Sequence, residues 1–407
     1  MNILFLHPNF PGQFLQLSRY LGAVGRHRVM FLSKDQNGTK LPGVNVAIHK
    51  KPREHTKDIH PYLRLCEEAV LEGQEVIRGI DALKRQANFV PDVIMGHTGW
   101  GSTLYLKDLL PDVPVIGYFE WYYNSVGGDV GYWPDETVTI DDKCRIRTTN
   151  AHHLLNLQTC DVGYCPTEWQ RSQFPKEYRD KLRVIHEGVE TDYYKPLPGR
   201  KFVLNNENVK LDLSDCDELV TYLSRGMEPY RGFPQFMDAI RILLARRPKC
   251  HVVIAGSDRA CYGPQLSKDK TWKDAEIEKG GYPEDRVHFV GHLARDEYLM
   301  LLQASTVHVY LTRPFILSWS CIESLGAGCC LVGSATPPVQ EVAQDGVNAL
   351  LANFKRPEHI AYRIEEALDD PELRARLGKA ARESVLEKYD LKDSIRKEID
   401  MIYGAMK

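Results

Sequence analysis

Two arginines and a helix start in the second half of the sequence have the residue types and spacing of an anion-binding site. Arg225 and Arg231 flank a turn in LSRGMEPYRG, directly after a strand-like apolar run. Further along, another apolar run ends near Leu311, and a helical pattern opens at Ser318–Ser320. The free N–H groups and the positive dipole end of a helix N-terminus suit a phosphate. The pattern therefore favours a diphosphate site over the alternative, a pair of solvated loop arginines.

One carboxylate lies a turn inside that helix. Glu323 follows Ser318, Trp319 and Ser320 in the segment SWSCIES. The backbone N–H groups at the start of this segment could hold a phosphate, while Glu323 could accept hydrogen bonds from two ribose hydroxyls. A capping box is the alternative, in which Glu323 only accepts the backbone N–H of Ser320.

A second group of candidates follows strand-like runs in the first half of the chain. Gly12, in HPNFPGQF, would let the backbone approach a phosphate or an acceptor closely, or would simply permit a helix start. His97, in PDVIMGHTGWG, could bind a sugar hydroxyl, or could be a satisfied structural histidine. Glu120 precedes Trp121 and Tyr122, whose flat faces could stack on an acceptor sugar or pack in the core.

No metal site is predicted. The chain contains no HExxH segment, and its ten cysteines include no CxxC pair, which argues against a zinc site and against a secreted disulfide framework. Arginines at the predicted diphosphate site would make a divalent ion unnecessary. Reduced cysteines indicate a cytoplasmic protein.

The elements that must position these residues alternate between strands and helices. Near-continuous apolar runs indicate strands covered on both faces, as in parallel sheets. The predicted strands are Asn2–His7, Arg28–Ser33, Val44–Ile48, Asp92–Gly96, Val113–Tyr118, Asp161–Cys165, Leu182–His186, Leu219–Leu223, His251–Ala255, Val287–Val290, Val307–Leu311 and Cys330–Val332. The predicted helices are Gln13–Val24, Pro61–Gln86, Asp141–Leu157, Phe233–Arg246, Arg295–Gln303 and Ser320–Ala327, with an almost entirely helical tail after Pro357.

This order predicts two βαβ domains, each a doubly wound parallel sheet. The segment Lys195–Asp217, rich in Pro, Asn and Asp, reads as a linker between them. Ligands of such sheets bind beyond the carboxyl ends of the strands, where most of the candidate residues fall.

Composition narrows the function classes. The net charge is −3, without a long run of like charge, so a dedicated nucleic-acid binder is not expected. The opening MNILFLHPNF lacks a basic leader and does not read as a signal peptide. No apolar run approaches the roughly 18–20 residues that span a bilayer. Peripheral contact with the inner face of a membrane stays compatible with this composition.

Four blocks, at Val184–Pro196, Leu223–Gly232, Val287–Gly291 and from Glu323 to Leu351, resemble in order those of the family-four glycosyltransferases, which have the GT-B fold. Glu323 with SLGAGCCLVGS and then EVAQDGVNALL is similar to the donor-site signature of the family. VIHEGVETDYYKP, at Val184–Pro196, resembles the motif VIPNGVD-x-x-x-F-x-P that closes the first domain, and Leu223–Gly232 resembles G-R-L-x-x-x-K-G. VHFVG, at Val287–Gly291, resembles V-x-F-x-G.

The resemblance implies two Rossmann-like domains that face each other across a cleft. An acceptor domain is expected over residues 1–197 and a nucleotide-sugar donor domain over 198–388. A helix over 389–407 is expected to cross back onto the first domain.

The resemblance also implies a retaining, metal-independent, hexosyltransferase-type glycosyltransferase without a cofactor. A UDP- or GDP-sugar would be the donor, and a glycan or lipid-linked acceptor of a bacterial envelope polysaccharide pathway would receive the sugar. Arg225, Arg231 and the amides at Ser318–Ser320 would hold the diphosphate, Glu323 the ribose and His97 the transferring sugar. Gly12 would lie on the donor side and Glu120 on the acceptor side.

One position departs from the family pattern. The first carboxylate of Glu-x7-Glu, which contacts donor sugar hydroxyls in the family, is replaced by Phe315. This departure motivates one alternative, a decayed scaffold that binds a nucleotide sugar without turnover. Another alternative is a nucleotide-sugar epimerase or a phosphorylase of the same fold.

Overall fold

The computed structural model describes residues 1–36, 38–267 and 269–407. It divides into two compact units, Met1–Gly188 with Leu391–Lys407, and Val189–Asp390. The boundaries of the units thus fall after Gly188 and after Asp390. The resemblance to the family implies domain boundaries after residues 197 and 388 instead.

A parallel sheet forms the centre of the first unit. Its strands, within the described residues, are β1 Asn2–Leu6, β2 Arg28–Ser33, β3 Val44–Ile48, β4 Val93–His97, β5 Val115–Tyr118, β6 Val162–Cys165 and β7 Leu182–Val184. They are ordered β3-β2-β1-β4-β5-β6-β7, and every pairing is parallel. The helices of this unit are α1 Leu15–Val24, α2 Arg64–Ala87, α3 Leu106–Leu109, α4 Ile140–Thr149, α5 Ala151–Thr159 and α6 Glu168–Gln173, and the C-terminal helix Leu391–Ala405 joins them.

Both faces of this sheet are covered, as the apolar runs predict. Phe5 faces a core layer that includes residues of α1 and of the C-terminal helix, among them Met401 and Ile402. Leu4, on the opposite face of the same strand, belongs to a layer with Val76 of α2. Alternate residues of one strand therefore serve two cores.

The second unit contains a second parallel sheet. Its strands, within the described residues, are β10 Glu218–Gly226, β11 Cys250–Ser257, β12 Val287–Gly291, β13 Val307–Tyr310, β14 Leu331–Ser334 and β15 Leu350–Ala352, ordered β12-β11-β10-β13-β14-β15. The helices are α7 Phe233–Arg246, α8 Trp272–Lys279, α9 Arg295–Ala304, α10 Trp319–Gly326, α11 Pro337–Gln340, α12 Pro357–Asp369 and α13 Pro371–Lys388, and α14 is the C-terminal helix Leu391–Ala405. Two doubly wound parallel sheets confirm the predicted fold class.

Two expectations from the sequence were wrong. The predicted linker contains a small antiparallel hairpin, β8 Val203–Asn205 with β9 Lys210–Asp212, whose Leu204 is buried. The predicted helix Asp141–Leu157 is two helices, since Asn150 breaks it with φ −82° and ψ 1°. The Asn150 side chain donates to the carbonyl oxygens of Tyr123 and Ile146, which favours this local break.

Candidate functional site

The carboxyl ends of β1, β4 and β5 bring a polar cluster together in the first unit. His7 follows β1, His97 ends β4, and Glu120 comes two residues after β5. The Gln13 amide donates to Oε1 of Glu120 at 2.9 Å, and Nε2 of His97 lies 3.5 Å from Oε2 of the same carboxylate. The rings of His7 and His97 are edge-to-face, with centroids 5.2 Å apart. His97 and Glu120 thus lie together, as their strand-end positions suggest.

Backbone contacts determine the tautomer of both histidines. The N–H of Asn9 donates to Nδ1 of His7 at 2.9 Å, and the N–H of Gly99 donates to Nδ1 of His97 at 3.0 Å. Because each Nδ1 accepts, each neutral ring carries its proton on Nε2. Burial and the neighbouring His97 lower the pKa of His7 to about 3, so His7 is neutral at physiological pH.

Glu120 stays ionised in this cluster. Burial works against its charge, but hydrogen bonds from His97 and Gln13 and the electrostatic interaction with His97 outweigh that effect, so the pKa of the carboxyl lies below its ordinary value. The cluster therefore combines ring N–H donors with a carboxylate acceptor.

Trp100, rather than the predicted aromatic residues, presents an open face beside the cluster. Its side chain is 40% exposed, and its ring centroid lies 4.4 Å from that of His97. Trp121 is buried near Trp169, and Tyr122 packs against Phe174 at 5.4 Å. The structure does not bring Trp121 and Tyr122 into the exposed part of the cluster.

Gly12 is needed for the shape of the loop after β1. Its φ is +53°, a conformation that side chains rarely adopt, and an added Cβ would lie 2.6 Å from the His7 ring. The glycine therefore makes room for His7, a residue that sequence reasoning missed. The signal for His7 was present, because it is a histidine directly after an apolar strand, as His97 is.

A buried acidic pair lies deeper in this unit. Tyr118 donates its hydroxyl to Glu187, and Glu398 of α14 is also buried. Burial and the charge of Glu187 raise the pKa of Glu398 well above its ordinary value. Glu398 therefore keeps its proton well above the pH at which an exposed carboxyl would lose it.

In the second unit, the two predicted arginines have different environments. Arg225 is exposed near the end of β10, where the register with β11 shifts between Leu223 and Gly226. Arg231 is buried, and its Nη1 atom donates to the Thr312 hydroxyl and the Ile316 carbonyl oxygen, both at 2.9 Å. Arg231 thus ties the loop after β10 to the loop after β13, while Arg225 presents an exposed charge.

Glu228 joins a third loop to this edge of the sheet. Its side chain is fully buried, and its Oε2 accepts the backbone N–H groups of Cys261 and Tyr262. Burial raises the pKa of Glu228, although those amides and both arginines oppose the shift. The sequence offered no signal for this residue, because a loop glutamate next to a proline is ordinarily solvated.

The start of α10 lies where the sequence predicted it. Ser318 is the N-cap, and its hydroxyl accepts the backbone N–H of Ser320 at 3.4 Å. Trp319 is 44% exposed. The capping-box alternative was wrong, since Ser318 caps Ser320 and Glu323 has another partner. The first turn of this helix remains a place where backbone N–H groups could meet a phosphate.

That partner of Glu323 is a pair of tyrosines. The Tyr298 hydroxyl donates to Oε2 of Glu323 at 2.8 Å, and Tyr194 also hydrogen-bonds the carboxylate. Tyr194 stands where the motif that closes the first domain carries phenylalanine, so its hydroxyl is an addition of this chain. Burial raises the pKa of Glu323, and these hydrogen bonds oppose the shift.

Phe315 belongs to an aromatic cluster that consists of Phe315, Tyr230 and Tyr262. Phe315 packs edge-to-face on Tyr230 at 5.3 Å and on Tyr262 at 5.1 Å. The guanidinium of Arg313 lies over Tyr230 at 4.7 Å, and that of Arg231 lies over Tyr262 at 5.3 Å. Where the family pattern has a carboxylate, the loop after β13 therefore carries a buried apolar ring, and two cations contact the tyrosines that pack on it.

The described part of the chain contains no helix long and apolar enough to cross a membrane. Over the same residues, no group of three or more His, Cys, Asp or Glu side chains is arranged to hold a metal ion.

Known structures resemble this chain over nearly its whole length. The Anabaena protein HepE, in a crystal structure with UDP-glucose, matches 99% of this chain and 100% of its own, with a TM-score of 0.69 and 15% identity. Sucrose-phosphate synthase from Thermosynechococcus elongatus matches 98% of each chain, with a TM-score of 0.67 and 17% identity. These similarities confirm the predicted GT-B fold.

Sequence relatives match a smaller part of the chain and are longer proteins. D-inositol 3-phosphate glycosyltransferase from Streptomyces avermitilis is 24% identical over 207 residues, 50% of this chain and 42% of that protein. The chain thus matches less than half the length of this relative. The family models match more broadly: residues 25–194 match the model of the glycosyl transferase family 4 group, and residues 205–384 match that of glycosyl transferases group 1. The protein therefore belongs to the group 1 glycosyltransferases of family four and has the GT-B fold.

Proposed function

We propose that this enzyme transfers a sugar from a UDP- or GDP-sugar to a hydroxyl group of a glycan or glycolipid. Transfer retains the anomeric configuration and requires neither a metal ion nor a cofactor. The observation that best supports a diphosphate donor is the tie that Arg231 makes between the loops after β10 and β13. Arg225 lies at the end of β10, which pairs with β13, and the loop after β13 leads to the start of α10.

In this proposal Arg225 and the first amides of α10 bind the diphosphate, and Arg231 positions the loop between them. Positive charge at this place stabilises the leaving diphosphate as negative charge develops on it. The Glu323 carboxylate binds the ribose hydroxyls. The crystal structure of HepE contains UDP-glucose, which supports a uridine nucleotide as the first donor to test.

His97 binds the transferring sugar, and Glu120 lies on the acceptor side. The acceptor hydroxyl attacks from the side of the leaving group and passes its proton to a diphosphate oxygen. No enzyme nucleophile is required, because positioning and charge stabilisation lower the barrier.

A thermal-shift and calorimetry panel of UDP, GDP, ADP, TDP and CMP, each with and without EDTA, tests this proposal. A ligand at about 100 times its dissociation constant stabilises a protein by about 2.7 kcal/mol. One nucleoside diphosphate is expected to raise the melting temperature regardless of EDTA. Arg225→Ala is expected to lower the affinity for that diphosphate at least about tenfold. Arg396→Ala, which removes an exposed arginine of α14, is the matched control.

Turnover separates the remaining functions. Release of the nucleotide in an acceptor-dependent reaction is the expected result. Conversion of the donor without an acceptor would instead indicate an epimerase, and nucleotide binding without turnover would indicate a scaffold. Absence of a shift with every nucleotide would overturn the proposed donor site.

A further inference from the structure

The small hairpin of the second unit has an open strand edge. Within the described residues, β8 pairs with β9 alone, in a sheet of two strands. The backbone N–H of Leu213 donates to the carbonyl oxygen of Phe202, just before β8. Because hydrogen-bonded pairs alternate along an antiparallel ladder, the N–H and C=O groups of Val203 and Asn205 point away from β9. The outer edge of β8 thus presents backbone donors and acceptors.

The surroundings of this edge leave room for another strand. Leu204 belongs to the buried layer under the hairpin, whereas Val203 and Asn205 are exposed. Beside Val203 lies an open cavity of about 590 Å³, whose lining includes the apolar side chains of Leu197 and Met300. An exposed strand edge next to apolar side chains is a template for pairing with another chain.

Two exposed charges of opposite sign flank the edge. Lys201 precedes β8 and Glu207 follows it, and neither side chain forms an ion pair with another described residue. Both lie three positions from Leu204, one on each side. If a second copy pairs antiparallel about a two-fold axis at Leu204, Lys201 of each copy faces Glu207 of the other. The edge is therefore complementary to itself.

The same axis also satisfies the backbone. It places Val203 of one copy opposite Asn205 of the other, and since both residues point their polar groups outward, each such pair exchanges both of its hydrogen bonds. A shift of the register by two residues would still pair outward-pointing groups. Such a shift would place Lys201 opposite Asn205 or Val209, and the ion pair would be lost. Of these registers, the one centred on Leu204 joins opposite charges.

We propose that the outer edge of β8 binds the same edge of a second copy of this chain, so that the two hairpins form one continuous antiparallel sheet. The ion pair between Lys201 and Glu207 forms at both ends of this pairing. A short edge buries little surface, so the dimer is weak, with a dissociation constant on the order of 10 to 100 µM. The proposed donor site contains none of these residues, and the dimer is independent of the proposed function.

Sedimentation equilibrium of the intact chain over a concentration series tests the proposal. The apparent mass is expected to rise with concentration from 46.5 kDa toward that of a dimer. High salt is expected to weaken the association, because it screens exposed ion pairs. A chain that remains monomeric at about ten times the expected dissociation constant would overturn the proposal.

Charge reversals identify the surface. Lys201→Glu and Glu207→Lys each place like charges opposite each other at both ends of the pairing, and each is expected to weaken self-association at least about tenfold. An equimolar mixture of the two variants is expected to associate as the wild type does, because each variant supplies the charge that the other has lost. Misfolding of a variant could not produce this recovery. Lys210→Glu, which reverses an exposed charge on β9, is the matched control. A mixture that associates no better than its components would overturn the ion pair.

Val203→Pro tests the backbone pairing. The substitution removes an N–H that points away from β9 and leaves the hydrogen bonds between β8 and β9 in place. Self-association is expected to weaken at least about tenfold. Circular dichroism melting of the same sample reports whether the fold is intact. Unchanged association in a variant that melts as the wild type does would overturn the pairing of the strands.

Discussion

The hydroxyl of Tyr298 donates a 2.8 Å hydrogen bond to Oε2 of Glu323. The two residues come from α9 and α10, so the bond joins two helices of the second unit. Because the carboxylate is largely buried, this bond and the one from Tyr194 keep a costly charge partnered. The orientation of the Glu323 side chain thus depends on two tyrosines that lie outside the segment around Glu323 itself.

Tyr298→Phe is therefore expected to reduce both stability and nucleotide affinity. Removing a donor from a buried carboxylate costs about 1–3 kcal/mol of unfolding free energy, measurable by urea denaturation. UDP affinity, measured by calorimetry, is expected to fall severalfold, since the carboxylate loses its fixed orientation. Tyr403→Phe, at an exposed site of α14, is the control. A variant with unchanged stability would show that the bond contributes nothing.

Phe315→Glu is expected to restore a sugar contact. A carboxylate at this position would accept hydrogen bonds from hydroxyls of the donor sugar, as the resemblance to the family implies. The ratio of UDP-glucose affinity to UDP affinity is expected to rise about five- to tenfold, because the nucleotide contribution cancels in the ratio. Phe315→Leu controls for loss of the aromatic packing. If the ratio stays constant while UDP still binds, position 315 does not contact the sugar.

Gly12→Ala is expected to destabilise the first unit by about 1–3 kcal/mol through backbone strain and contact with His7. Gly25→Ala is a matched control, since Gly25 has φ +69° but an added Cβ would have no atom within 4 Å. The excess loss in Gly12→Ala over Gly25→Ala, from denaturant unfolding, measures the contact with the imidazole. Equal losses would mean that His7 moves aside freely.

The stability of the wild-type chain is expected to fall on acidification partly because of His7. Its pKa is about 3 in the native state against 6.5 for the ordinary group, so the unfolded chain binds the proton more readily across that window. The His7 contribution is complete above pH 6.5 and decreases by up to about 1.4 kcal/mol per pH unit below it. His7→Gln should lack this component, whereas His60→Gln should retain it. A difference between wild type and His7→Gln that does not vary with pH would refute the assignment.

Glu398 is expected to make the wild-type chain less stable as pH rises, the opposite of the effect of His7, and Glu398→Gln is expected to remove this pH dependence. Burial raises the pKa of Glu398 above the ordinary 4.5, so the unfolded chain releases this proton first as pH rises. Stability is therefore lost from pH 4.5 upward until the native group ionises as well. The neutral glutamine should remove that loss, and unfolding at pH 5 and pH 8 would reveal it. A larger deficit of the variant at pH 8 than at pH 5 would be the wrong sign.

Much of the fold could be predicted because strands that are buried on both faces of a sheet have near-continuous apolar residues, which the sequence shows directly. The strand Arg28–Ser33 and the helix Phe233–Arg246 have the predicted bounds. The hairpin Val203–Asn205 with Lys210–Asp212 was missed because its short strands lie among Pro, Asn and Asp, which ordinarily mark loops. Its strands around the buried Leu204 are too short to show the alternation of apolar and polar residues that marks a strand.

The site was less predictable, because partners distant in sequence decide it. His97 and Glu120 could be proposed from their strand-end positions alone. Trp100 and Trp121 have the same local chemistry, yet tertiary packing exposes one and buries the other. The carboxylate of Glu228 accepts a hydrogen bond from the backbone N–H of Cys261, more than 30 positions later in the chain. No local sequence pattern predicts such a contact.

The C-terminal helix has a consequence for how the chain is made. Since Leu391–Ala405 supplies Ile395, Met401 and Ile402 to the core of the first unit, the second unit is an insertion within the first. A ribosome would finish the inserted domain before the enclosing one could close its core. The splice points are adjacent, because a Cβ added to Gly188 would lie 2.7 Å from Cα of Leu391. A gene that joins residue 188 directly to residue 391 should encode a unit that folds on its own. A gene that stops at residue 188 should encode a unit whose core is left exposed to solvent where the C-terminal helix would pack.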